Sequence, residues 1–251
     1  MAAAFRSVAI GATAIACLVT IPLTGDHVPA VTAALTWVLV VLQGRSRLTW
    51  VLRLPFGRTV RRVMRVAVFL LPWPWLGLPF AKVAPLPLLA GVLIGALSLG
   101  SQWREVRSGL SRRYIALLPG ISPADRSRDL FLYLSAGAAQ EFLYRGVLLA
   151  AIDALAGPVP AIAITAGMFV AEHALQFDAA SSWDRRDYVT QGVLGVVFGA
   201  SVLATGCLAV AVAAHTLYNV PQVMQTVLRP SSRPRRAAQP MPSEEPKSAQ
   251  S

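Results

Sequence analysis

The sequence predicts an all-α fold, a polytopic membrane helical bundle of about eight transmembrane helices. Three observations predict it. The chain of 251 residues is 55% hydrophobic and only 14% charged, with a mean hydropathy of +0.56, above the balance of a soluble domain with a polar shell. Its apolar residues gather into runs of the length that crosses a bilayer as helix, about 17 to 25 residues. Its arginines fall in short blocks between those runs.

Taken in order, the runs lie at 7–24, 28–43, 64–81, 83–99, 129–155, 158–176, 188–204 and 206–227. The first follows a single arginine and shares that pattern with a secretory signal peptide. A second run follows almost at once, so 7–24 is read as a retained span. The third contains Pro72, Pro74 and Pro79, which soften its boundaries. Between the second and third runs, 44–65 carries Arg45, Arg47, Arg53, Arg58, Arg61, Arg62 and Arg65; after the fourth, 100–128 carries Arg104, Arg107, Arg112, Arg113, Arg126 and Arg128. Both segments are cytoplasmic if the N-terminus is inside. The connections near 25–27, 82, 156–157 and 205 are brief, nearly free of arginine, and read as external turns. The loop 177–187 then lies inside with Arg185 and Arg186.

Three regions follow: 1–128 with N-terminal helices and basic loops, 129–227 as a functional core, and 228–251 as a disordered basic cytoplasmic tail, rich in Pro, Ser and Arg. Both termini are expected in the cytoplasm and the chain in the cell (plasma) membrane, in contact with membrane lipids. The formal charge of +11 does not point to nucleic acid, because the arginine blocks alternate with apolar runs as membrane loops do. Cys17 and Cys207 frame neither a disulfide scaffold nor a CxxC site.

Few ionisable groups remain at membrane depth: Glu141, Arg145, Asp153, Glu172, His173 and His215. Asp153 and the Glu172–His173 pair lie near span ends. Charge within a span costs about 2.5 to 3.5 kcal/mol on insertion scales, so it is kept where it faces protein and has a partner. Three patterns place two side chains on one helix face: Glu141-x-x-x-Arg145, Phe169-x-x-x-His173 and His215-x-x-x-Asn219. They occur on separate late spans and use two of the three histidines.

In order and separation these motifs, with Gly146 after Arg145, resemble the CPBP family of intramembrane endopeptidases, which includes the CAAX prenyl proteases and bacteriocin-processing or immunity proteins. The resemblance covers roughly 129–225. The family pattern is Glu-Glu-x-x-x-Arg, then Phe-x-x-x-His, then His-x-x-x-Asn. Here the first glutamate is Gln140, and an amide cannot accept a proton at neutral pH.

The resemblance implies a glutamic-type hydrolysis of a membrane-embedded or lipidated polypeptide, and no cofactor or metal is expected. His173 would orient or deprotonate the water, and His215 and Asn219 would stabilise the oxyanion. Arg145 would hold Glu141, which would serve as base or as orienting residue. Because adjacent helical positions point about 100° apart, Glu141 replaces the missing carboxylate of position 140 only if the helix is locally bulged.

Other readings stand beside this one. Glu141 and Arg145 suit a helix-packing ion pair, His173 a span-end histidine bonded to a carbonyl, and His215 and Asn219 interhelical polar glue. His173, His215 and Glu141 could also ligate zinc, although the spacing is not HExxH and Arg145 would repel a cation. With Gln140 in the motif, an inactive family member acting as an immunity, binding or scaffold protein is the alternative to the enzyme.

Overall fold

The structure, a computed structural model, describes residues 28–45, 56–70, 72, 80, 83–175 and 184–232. The expected first span, 7–24, and most of the C-terminal tail lie outside these residues. The described elements are helical: α1 (Val28–Arg45), α2 (Gly57–Ala67) with a 3-10 turn at Val68–Leu70, α3 (Pro85–Ser101), α4 (Trp103–Gly109), α5 (Arg112–Leu117), α6 (Pro123–Glu141), a π-helical segment (Phe142–Leu148), α7 (Leu149–Ala156), α8 (Pro158–Leu175), α9 (Arg185–Thr205), α10 (Ala209–Tyr218) and α11 (Val220–Leu228). Extended pairing among the described residues is limited to one isolated bridge, Ile121 with Ser231.

Among the described residues, two helices, α8 and α9, are long and apolar enough to cross a membrane. A third qualifies if α3 and α4, bent by 77° at their junction, form one span. The count of about eight spans is therefore not confirmed among the described residues, and the reasons are local. The run 206–227 is broken at Asn219 into two helices of 10 and 9 residues, with Pro221 in the first turn of the second, where a missing N–H costs nothing. The run 129–155 is a composite of α6, the π segment and α7, and α6 begins before it with a charged stretch, Asp125, Arg126, Arg128 and Asp129. The basic connection 44–65 contains α2, whose charged and apolar residues segregate onto opposite faces.

The two ends of the bundle differ in charge. At one end, Arg58 and Arg62 of α2 pair with Asp125 and Asp129 of α6, Arg186 of α9 pairs with Glu105 of α4 at 2.6 Å, and Arg126 donates to the carbonyl of Arg229 at 2.6 Å. The segments read as internal from their arginines thus share one end. At the other end, Leu208 N–H donates to the Phe80 carbonyl at 2.9 Å.

Helix starts are fixed by side-chain caps. Ser122 accepts from the Asp125 N–H with Pro123 in the first turn of α6, and Asp184 with Asp187 forms a reciprocal capping box on α9. The π segment is buried throughout. It joins two buried clusters, one with Val40, Phe69, Leu143, Tyr144 and Phe169, the other with Leu149, Leu194, Phe198, Val202 and Ala211.

Outward faces are apolar. Leu86, Leu89, Leu93 and Leu97 form an exposed stripe on α3, as lipid contact requires. Its opposite face is Gly91-x-x-x-Gly95, pressed against α10. A Cβ at Gly91 would stand 2.3 Å from the Val210 carbonyl oxygen, and one at Gly95 would stand 2.9 Å from that of Ala214. Small residues at this spacing let two helix backbones touch where apolar burial gives no drive for association in lipid. Here they seat the helix that carries His215.

Candidate active site

A cavity of about 450 Å³ opens among α6, α8, α9, α10 and α11, and its wall includes Gln140, Phe169, Glu172, His173, His215 and Asn219. Arg65, Asp187 and Gln222 also line it, so it lies toward the arginine-rich end of the bundle. Of the residues singled out in the sequence, Gln140, His173, His215 and Asn219 are brought together here. Glu141 and Arg145 are fully buried and stand behind the wall.

Both histidines of the cavity have their Nδ1 committed. His173 Nδ1 lies 2.9 Å from the backbone carbonyl of Phe169; a carbonyl only accepts, so Nδ1–H donates and the neutral ring keeps its lone pair on Nε2. The contact spans one helical turn of α8, which is why the two residues are four apart. His215 Nδ1 lies 2.6 Å from Glu141 Oε1, and a carboxylate acceptor sets the same tautomer. Arg145 Nη1 donates to that oxygen at 3.3 Å. Glu141 therefore bridges Arg145 and His215 and orients the second imidazole.

The alternative in which Glu141 reaches the water is not the geometry found. A helical irregularity is present, the π segment, but it begins one residue after Glu141. Gln140 faces the cavity, and Glu141, about 100° around the helix, faces the interior.

Phe169 does more than wall the cavity. Its ring meets those of Tyr144, His173 and His215 edge-on, at centroid distances of 5.2, 4.6 and 6.3 Å. The Arg145 guanidinium lies 4.6 Å from its centroid, and the rings of Tyr144 and Phe198 lie at 5.6 and 5.8 Å. Three π faces thus surround a cation whose Nε and Nη2 have no hydrogen-bond partner, and cation–π attraction strengthens when water is excluded.

Asn219 ends α10 and donates Nδ2 to the Tyr133 carbonyl at 3.3 Å. Gly137 allows this approach: a Cβ there would lie 3.3 Å from His215 Cδ2 and 3.4 Å from Asn219 Nδ2.

Glu172 was read from the sequence only as a span-end residue. It is fully buried, accepts from the Tyr144 hydroxyl at 2.8 Å on Oε2, and has Gln140 Nε2 3.5 Å from Oε1. The signal that could have found it is its position next to His173: an acid beside a candidate base at the foot of an otherwise apolar helix. Among the described residues, no group of three or more His, Cys, Asp or Glu is placed to hold a metal ion.

Residues 128–221 match the family model described as type II CAAX prenyl endopeptidase Rce1-like, so the resemblance carried by the three motifs is borne out over that segment. The family is one of proteases. No curated protein and no solved structure matches the chain.

Proposed function

We propose that this chain is a membrane-embedded endopeptidase that hydrolyses a peptide bond of a membrane-associated polypeptide, a CAAX-type prenylated protein or a peptide precursor, by a water activated in the cavity. One observation carries the reading: two histidines of fixed tautomer, His173 and His215, and Asn219 line a single cavity inside the segment that matches an endopeptidase family.

His173 Nε2 holds and orients the attacking water. His215 presents its ring on the side where charge develops on the carbonyl oxygen, and Glu141 at its Nδ1 holds the imidazole in that orientation. Asn219 supplies an amide dipole to the same oxygen. Arg145 balances Glu141, so that the carboxylate is not left as an isolated buried charge.

The cavity opens at the arginine-rich end, which the positive-inside rule assigns to the cytoplasm. Substrates therefore enter from the cytoplasmic face of the cell membrane, with lipid along the exposed leucines of α3. The competing reading, an inactive membrane immunity, binding or scaffold protein, is favoured by Gln140.

Cleavage of a panel of membrane-anchored peptides, including a farnesylated CAAX peptide, by the purified chain in proteoliposomes decides between them. We expect turnover by the wild type and a loss of about 100-fold or more in His173→Ala, the scale of losing the group that positions the water. A wild type that cleaves nothing in the panel would establish the inactive alternative.

A further inference from the structure

Position 140 holds an amide where the family pattern has a carboxylate, yet the cavity is not without acids. Two carboxylates line it, Glu172 and Asp187. Asp187 belongs to the cap of α9, where its Oδ2 accepts from the Asp184 N–H at 2.9 Å, and its residue is exposed. Glu172 is fully buried, directly precedes His173 on α8, and is close enough to His173 and His215 to interact electrostatically with both.

The carboxylate of Glu172 stands against the very side chain that departs from the pattern. Gln140 Nε2 is 3.5 Å from its Oε1, while the Tyr144 hydroxyl anchors Oε2 at 2.8 Å. Position 140 on α6 and position 172 on α8 thus face one another across the cavity wall. A carboxylate supplied from either helix can serve the same small volume.

We infer that Glu172 is the carboxylate base of the hydrolysis, the acid having moved from α6 to the facing helix while Gln140 remains as the amide that positions it. The inference rests on the endopeptidase reading above. Glu172 Oε1 takes a proton from the water that His173 Nε2 orients. The water oxygen bonds to the scissile carbonyl carbon, and the carbonyl π pair moves onto oxygen, toward His215 and Asn219. On collapse that pair re-forms C=O, the C–N bond breaks, and the proton held by Glu172 passes to the leaving nitrogen. One water is consumed and no other reactant is needed.

A purely structural Glu172 makes a different prediction, because glutamine is isosteric. Its amide oxygen still accepts from Tyr144, and its NH2 can face the oxygen of a rotated Gln140, but it cannot take a proton. The test is steady-state cleavage of the farnesylated CAAX peptide and the membrane-anchored panel by wild type, Glu172→Gln and the interchange Gln140→Glu/Glu172→Gln, with detergent melting temperatures.

We expect Glu172→Gln to lower kcat by about 100-fold or more, with KM within about threefold, an unchanged melt and loss of the acid limb of the kcat–pH profile. The interchange should regain at least about tenfold over Glu172→Gln. Wild-type turnover that persists within threefold in Glu172→Gln overturns the assignment of Glu172 alone. Absence of turnover in the wild type overturns it together with the endopeptidase reading. Should Glu172→Gln fail to fold, the interchange decides: folded and active supports the inference, folded and inactive overturns it.

Discussion

Gly91→Ala tests whether α3, which lies outside the matched segment, is part of the catalytic apparatus. The added Cβ would stand 2.3 Å from the Val210 carbonyl oxygen and 2.9 Å from the Ala213 Cβ, whereas ordinary contact begins near 3.4 Å. The obstructing atom is backbone, which no rotamer change can move aside. The helices must part by about 1 Å at that level, in an interior packed too densely to absorb the shift locally. Val210 and His215 belong to the same ten-residue helix, so the displacement reaches the imidazole.

A misplacement of about 1 Å costs about 10²-fold in rate, and overpacking of this kind costs about 1 to 3 kcal/mol. We therefore expect kcat on the farnesylated peptide to fall by roughly 100-fold and the detergent melt to drop. Gly100→Ala is the control, on the same helix with nothing within 4 Å of the added atom. If Gly91→Ala cleaves and melts like Gly100→Ala, the proposed coupling of α3 to His215 is wrong.

Other outcomes follow from the charges. Glu141→Gln should lower stability as well as rate, because it leaves Arg145 uncompensated in a site with no exposure; removing one partner of a buried pair costs about 3 to 5 kcal/mol. A detergent melt separates this from Glu172→Gln, for which rate alone should fall. At the arginine-rich end, the Ser122 hydroxyl holds the Asp125 carboxyl below its usual range, with Arg128 and Arg58 adding to the effect. A depressed carboxylate stabilises the fold above its unfolded value and loses that contribution as pH falls through the folded one. Melting measured from pH 6 down to pH 3 should therefore show a decline that Ser122→Ala makes shallower, while its lost cap lowers stability throughout by about 0.5 to 2 kcal/mol.

The site was legible in the sequence where chemistry follows helical spacing. Phe169 and His173 are four apart because a ring N–H reaches the carbonyl one turn back. Glu141 and Arg145 are four apart because they pair on one face. The arginine blocks at 44–65 and 100–128 do meet at one end, through Arg58, Arg62, Asp125 and Asp129.

What escaped depends on contacts between helices. The partnership of Glu172 with Gln140 joins residues 32 apart, and no local pattern announces it. Glu141 could be placed only once His215 was seen beside it. The full span count is not confirmed among the described residues, where hydropathy averages over breaks: Asn219 divides one run, and the 3-10 turn at Val68–Leu70 ends another helix inside a second. Gly91 and Gly95 were not singled out in the sequence, because their role depends on the close approach of α10.

The π segment makes the core sensitive to chain length in a way its chemistry does not reveal. Seven consecutive residues, Phe142–Leu148, take the wider i to i+5 turn, which accommodates a residue that an α-helix would have to expel. Winding the same seven residues as α-helix would instead rotate α7 by about 100° relative to Gln140 and Glu141. The cavity-facing and core-facing sides could then no longer be satisfied together. The wider turn thus keeps α7 in phase across an extra residue, and inserting a further residue between 142 and 148 should be far more damaging than conservative replacements at the same positions.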